Sequence, residues 1–279
     1  MNGPTRSSPR SQRWWILAAI VVLIGLVTAL VVTQLHSDTA APRTTTTVPT
    51  TVLTTTASSS PATKSTTTTP APAPGHQLLW PFADDKQAAA WQAGYREGGH
   101  EPWHLDAGLT AQSFTRGYLG YSSLDQITAT AVVGTDAHIG VGYKAPGGQQ
   151  ATAALLHLVK IGSGQDAPWE VVGSDDVPGL TLTAPAYGAT VTSPATVGGR
   201  ITGVDESLRI LVLRLGSDKP IGQTGGIPAG GENTPWTGRV SFTAPTGGTL
   251  TIAVSTGGHI NDVERFAITG VRSGSAANG

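Results

Sequence analysis

Five residues, His100-Glu101-Pro102-Trp103-His104, satisfy the spacing H-E-x-x-H. On an established helix that spacing sets two imidazoles on one face to hold zinc and leaves the glutamate between them to activate water. Here Gly98-Gly99 stand immediately before the string and Pro102 lies inside it, which puts it in a loop between two predicted helices. Pro102 is compatible only with a first helical turn, where its missing N–H costs nothing. A third ligand is also lacking: six residues past His104 stands Thr110, the next Glu is Glu170, and Asp125 is the acidic residue at a plausible distance. The expectation is a structural turn in which Trp103 plugs the core and Asp106 caps the next helix. No catalytic residue, metal or cofactor is expected. His100 and His104 are the metal candidates, and the rival reading they support is a zinc-dependent hydrolase.

The remaining chemistry-bearing residues are scattered. His138 and His157 fall within strand patterns, where a lone histidine is more often a hydrogen-bonded residue than a ligand. No G-x-S-x-G elbow supports a Ser-His-Asp arrangement, and the Gly runs GGIPAGG and SGQDAP lack the Lys and following helix of a phosphate loop. Asp205-Glu206 has the chemistry of a calcium edge site, with a solvated turn as the plainer reading. Aromatic faces stack on sugar rings, so the tryptophans matter too. Trp91 and Trp169 lie in element patterns and are expected in the core. Trp80 and Trp236 adjoin Pro-rich loops and are the candidate binding surface.

The elements that must position these residues begin after a long non-globular segment. Residues 14–32, WWILAAIVVLIGLVTALVV, are uncharged and long enough as a helix, at roughly 30 Å, to cross a hydrocarbon core. A cleavable signal peptide has a shorter apolar region ending at a small-x-small site, so an uncleaved anchor over 14–35 is expected. Arg6, Arg10 and Arg13 in the tail 1–13 place the N-terminus in the cytoplasm and everything after the span outside. Threonine, serine and proline dominate 36–76, a composition that makes an extended, disordered stalk, glycosylated or bare.

In 77–176, Asp84 or Asp85 caps a helix through KQAAAWQAGYRE, with Ala89, Trp91 and Tyr95 on its buried side and Gly98-Gly99 stopping it. Asp106 caps a second helix, AGLTAQSFTRGYL, in which Leu109, Phe114, Tyr118 and Leu119 follow helical spacing. The period then changes to two in QITATAVVG, AHIGVGY, ATAALLHLVKIG and PWEVVGS. Two helices followed by a four-stranded antiparallel sheet make an α+β domain. In 179–272 there is no helical pattern, and LTLTAP, ATVGGRITG, SLRILVLRL, WTGRVSFTAP, GTLTIAVST and VERFAITGV recur as short strands between turn residues. About seven such strands describe a β-sandwich, followed by a short tail, 273–279.

The sequence of turn residues in this second region carries a resemblance. Leu182-Thr183-Ala184-Pro185 precedes Tyr187-Gly188-Ala189-Thr190-Val191-Thr192-Ser193-Pro194. Val197-Gly198-Gly199-Arg200 and Val204-Asp205-Glu206 come next, and Gly247-Gly248-Thr249-Leu250 and Phe266-Ala267-Ile268-Thr269-Gly270-Val271 close the region. In this order the region resembles the immunoglobulin-like domain of bacterial spore-germination proteins. The resemblance covers about a third of the chain and implies an all-β immunoglobulin-like sandwich in an exported bacterial envelope protein, with no catalytic residues to carry over. The chain departs from that pattern at DKPIGQTGGIPAGGENTPW, a longer and more Gly-rich connection. In the first domain, helices preceding a curved sheet look like a cystatin or nuclear-transport-factor roll.

Charge narrows the partners. A formal net charge of −1, with every acidic residue after the apolar run and no basic stripe, argues against nucleic acid. The absence of cysteine excludes disulfides, thiolate zinc sites and thiol catalysis. The expected function is that of a non-catalytic, membrane-anchored envelope protein whose extracytoplasmic domains bind or position another envelope protein or a cell-wall polymer. A second alternative to the hydrolase is a small-ligand sensor in the mouth of the α+β sheet.

Overall fold

The computed structural model describes residues 75–275, apart from the side chains of residues 204–206. The expected tail, apolar span, nearly all of the stalk and the last four residues lie outside the described residues. Among the described residues no helix is long and apolar enough to cross a membrane.

Helix α1 (Asp85–Gly98) starts where Asp84 accepts a hydrogen bond from the Gln87 N–H at 2.9 Å, and it ends at Gly99 in the left-handed conformation, φ 68°. Its inward face differs from the expected one: Ala88 and Gln92 are buried, Trp91 and Tyr95 are half-buried, and Ala89 is exposed. The reason is a polar attachment. The Gln92 amide donates to the Ser163 carbonyl and to Asp166, each at 2.9 Å, and Arg96 pairs with the same Asp166, so a loop carboxylate rather than an apolar stripe sets the helix rotation. Helix α2 (Ala107–Ser113) is capped by Asp106, which accepts from the Leu109 N–H at 2.9 Å, and it runs on as a π-turn over Phe114–Tyr118. Ala107, Thr110, Ala111 and Phe114, at i, i+3, i+4 and i+7, face the core. This face of small residues lets the helix sit close to its sheet and turns Leu109 outward, against expectation, to 49% exposure.

Four strands form an antiparallel meander in the order β1-β2-β3-β4: β1 (Gln126–Val133), β2 (Asp136–Lys144), β3 (Gln150–Lys160) and β4 (Trp169–Asp175). Alternation places Ala137, Ile139, Leu156 and Leu158 on the core side, all fully buried, and sends Asp136, His138 and His157 to the other face.

The second region holds β5 (Thr190–Val191), β6 (Ala195–Leu213), β7 (Gly222–Val240), β8 (Thr249–Thr256) and β9 (Arg265–Ser273), in the order β5-β9-β8-β6-β7. Two expected short strands, ATVGGRITG and SLRILVLRL, are one long strand, β6, and the Gly-rich connection 218–236 is largely β7, its partner along the whole length. Irregularities at Ile201/Gly203, Gly203/Glu206 and Leu208/Ile210 let this hairpin bend without losing its pairing. Glycine suits the close approaches: a Cβ at Gly222 would meet the Ser241 carbonyl oxygen at 2.4 Å. LTLTAP contributes only isolated bridges at Leu180 and Ala184.

Only residues 209–213 of β6 pair with β8, and its earlier half carries Val197 and Ile201 into the apolar cluster that also holds Leu250, Ile252 and Val254. The other face of β6, β8 and β9 is buried as well. Leu211, Leu213, Ala253, Phe266 and Ile268 join the core made by Phe114, Ile139, Leu156 and Leu158. A sheet covered on both faces needs apolar residues at consecutive positions, which is why Ile210-Leu211-Val212-Leu213 and Ile252-Ala253-Val254 run unbroken by polar ones. At roughly 1.5–3 kcal/mol per buried large apolar side chain, Leu211, Leu213, Phe266 and Ile268 give the second region a strong reason to pack on the first. The chain-order boundary near residues 177–178 therefore does not divide the core, and the described residues belong to one compact unit.

Candidate functional site

The H-E-P-W-H string lies in a sharp connection. Glu101 is left-handed (φ 54°, ψ 54°) and Pro102–Leu105 make a single 3-10 turn, so His100 and His104 share no helical face. His100 is exposed beside Gly98, whereas His104 is 3% exposed. The His104 ring lies on Trp103 with centroids 3.6 Å apart, 5.0 Å from the ring of Phe82 and 4.9 Å from that of Trp91. Its Nε2 is 3.5 Å from a carboxylate oxygen of Glu101, and its Nδ1 is buried with no hydrogen-bond partner. Burial pulls the His104 pKa below its ordinary value, only partly opposed by Glu101, which favours the neutral ring. The residue that plugs the core is thus His104 rather than Trp103, which is half-buried; Asp106 caps as expected.

The candidate tryptophans are not free surfaces. Trp80 is half-buried and stacked on Trp103 at 5.3 Å, with Phe114 and Tyr118 also close. Trp236 is 6% exposed, against expectation, because β7 folds it over the second apolar cluster. Trp169 is in the core as expected, at 3% exposure.

Next to the aromatic layer lies Glu170, fully buried on β4, with one carboxylate oxygen accepting from the Phe82 N–H at 3.0 Å. Desolvation drives its pKa well above the ordinary carboxylate value, opposed by the backbone N–H groups of Phe82 and Trp80.

On the sheet face opposite the core, three strands set a row of imidazoles and carboxylates side by side. His138 and His157 are direct partners across β2 and β3, and their rings stack with centroids 4.7 Å apart and planes within 4°. Asp136, two residues before His138 and therefore on the same face, has its Oδ1 at 2.8 Å from His157 Nε2 and 3.4 Å from His138 Nε2. From β4, Asp175 Oδ2 lies 2.5 Å from His138 Nδ1. Opposite His157 on β4 is Gly173, which leaves room above the row. Ligand atoms of Asp136, His138 and His157 all lie within 4.8 Å of one another, a two-imidazole, one-carboxylate donor set. Side-chain exposures of 39% for His138 and 24% for His157 leave the row open to solutes.

A cavity of about 370 Å³ adjoins this row, lined among others by His76, His157, Gly173, Thr183 and Tyr187. The His76 ring meets that of His157 edge-on at 5.7 Å. The Tyr187 hydroxyl accepts a 2.6 Å hydrogen bond from the Gln77 N–H, tying the start of the described chain to the loop before β5.

Along the chain His138 and His157 stand as isolated strand histidines, and nothing in the spacing singles out Asp136 or Asp175 as their partners. The signal available was the D-x-H step at 136–138, and its second half arrives only when the β2–β3 register is known. The side chains of Asp205 and Glu206 lie outside the described set. Comparison with known proteins finds no matching family model, no matching curated protein and no matching solved structure.

Proposed function

We propose that this chain is a non-catalytic, single-pass protein of the cell envelope, which holds its compact unit outside the membrane to bind or position another envelope protein or a wall polymer. The observation that carries the reading is the position of His104. The imidazole that a hydrolase would need at residues 100–104 is packed against three aromatic rings at 3% exposure, and the other histidine of the motif, His100, is exposed beside Gly98. The uncharged run 14–32 is the span, the three arginines before it face the cytoplasm, and the Thr/Pro-rich segment is the stalk. Residues 179–272 are an immunoglobulin-like sandwich in this reading. Support comes from the bent β6–β7 hairpin, which closes over one face of β8 and β9 around a common apolar cluster. Positioning a partner needs a unit that does not flex internally, and the core shared between the two regions provides one.

Crosslinking in the native cell with tagged full-length protein, followed by mass spectrometry, tests the proposal. A specific envelope protein or wall polymer recovered with the full chain, and lost from a variant lacking residues 78–272, is the expected result. Recovery of neither, or hydrolysis of wall material by purified protein that His104→Ala abolishes without unfolding it, would overturn it.

A further inference from the structure

We propose that Asp136, His138 and His157 form a binding site for a divalent first-row transition metal, with zinc the ion their chemistry fits. The argument starts from His138. Its Nδ1 is 2.5 Å from Asp175 Oδ2, so that nitrogen carries the proton and donates it to a carboxylate. In the neutral ring this leaves the Nε2 lone pair free, with another carboxylate oxygen, Asp136 Oδ1, 3.4 Å away. Two electron-rich atoms lie close together there, a pairing that a cation would relieve.

A third donor is in place. His157 Nε2 is 2.8 Å from the same Asp136 oxygen, and moving its proton to Nδ1 converts one neutral tautomer to the other and frees Nε2 to coordinate. Zinc binds imidazole nitrogen and carboxylate oxygen at about 2.0–2.2 Å, which spaces tetrahedral donors on the order of 3.4 Å apart. The His138–Asp136 separation of 3.4 Å matches that value, the His157–Asp136 separation of 2.8 Å falls short of it, and all three ligand atoms lie within 4.8 Å of one another. Two imidazoles and one carboxylate favour a borderline transition metal over calcium or magnesium, which require more oxygen donors. Asp175 stands where a metal-bound histidine finds its orienting carboxylate, and such outer partners fix the ring and raise its basicity.

The fold fixes the backbone of these donors, while the two rings, stacked with planes within 4°, must turn about χ2 to aim both Nε2 atoms at one ion. His138 and His157 are paired across β2 and β3, whose opposite faces are anchored by fully buried Ile139, Leu156 and Leu158. Solvent reaches the row, and the adjoining cavity beside His157 leaves space for water or a small ligand to complete the coordination. Neither His100 nor His104 takes part.

The test is equilibrium dialysis of the full-length chain in detergent against zinc ion alone, with metal content and binding affinity measured. One ion per chain is expected. Binding should fall at least tenfold in His138→Gln and in His157→Gln, by about 10- to 100-fold in Asp175→Asn, where only the outer carboxylate changes, and not at all in His100→Ala. Circular dichroism identifies any variant that fails to fold. For such a variant the readout becomes cobalt(II) substitution in the unaltered chain, whose visible absorption bands report imidazole and carboxylate coordination. Zinc binding that is absent, or that is unchanged in His138→Gln and His157→Gln, overturns the proposal. So does an imidazole proton resonance pattern showing His138 doubly protonated in the presence of excess zinc.

Discussion

The ring of His104 lies flat against that of Trp103, centroids 3.6 Å apart and planes 29° apart, at the bottom of an aromatic layer closed by Phe82 and Trp91. This contact turns a string that resembles a hydrolase motif into a packing element. Replacing His104 with Ala should cost about 2–5 kcal/mol, the range for deleting a large buried side chain. His100→Ala, at an exposed position, should stay within about 0.5 kcal/mol. Urea unfolding of both variants measures the contrast, and equal effects would contradict this assignment.

The same ring sets an acid limit. Because burial lowers its folded-state pKa below the ordinary 6.5, the unfolded chain takes up a proton more readily. Stability contributed by His104 is therefore present above pH 6.5 and is lost as pH falls through the lowered folded value. His104→Phe keeps an aromatic ring and removes the titration, so its stability should no longer decline over that acidic window. Denaturation midpoints measured on both proteins across the window check this.

Glu170 has the opposite sign. Its folded-state pKa is raised well above the ordinary 4.5, so the folded protein holds a proton that the unfolded chain releases. Its contribution is fully present below pH 4.5 and is lost as pH rises through the raised value. Glu170→Gln should thus raise the melting temperature at neutral pH and flatten the decline above pH 4.5. A melting temperature lower at neutral pH than that of the unaltered protein would refute the account.

Asp166 accepts hydrogen bonds from both Gln92 and Arg96, and its carboxyl is pulled down to about 2, chiefly by the hydrogen bond from Arg96. As this loop carboxylate holds one face of α1, Asp166→Ala should increase amide hydrogen exchange in Asp85–Gly98 while β2 and β3 stay protected. Exchange read by mass spectrometry would show uniform protection if the attachment had no role.

The core shared by both regions predicts one unfolding transition. Phe266 is fully buried and packs edge-on against Tyr121, with ring centroids 5.3 Å apart. Phe266→Ala should destabilise the whole unit by about 3–5 kcal/mol, and tryptophan fluorescence from Trp80, Trp103 and Trp236 should change together with circular dichroism. Two separated transitions would show that the regions fold independently.

Sequence alone determined the features that close within a few residues of themselves. Asp106 was readable as a cap, and the first helix's cap as one of Asp84 and Asp85, because the capping side chain bonds an N–H three residues on; the pair Gly98-Gly99 was readable as a stop, and the structure takes Asp84 and the left-handed Gly99. The four strands of the meander were readable from period-two alternation bounded by turn residues. Tertiary structure decided everything that depended on which surface an element meets. Leu109 and Ala89 follow helical spacing yet face outward, because small residues and a polar clamp set the two helix rotations. The Gly-rich segment 222–240 became a strand because its partner β6 supplies the pairing that its own composition does not suggest. The candidate metal donors came together only through register: Asp136 and His157 are separated by 21 residues, and His138 and Asp175 by 37. A shift of one residue between β2 and β3 would send the histidines to opposite faces, and one between β3 and β4 would take Asp175 off their face, so their meeting is fixed by the buried residues behind them rather than by the histidines themselves.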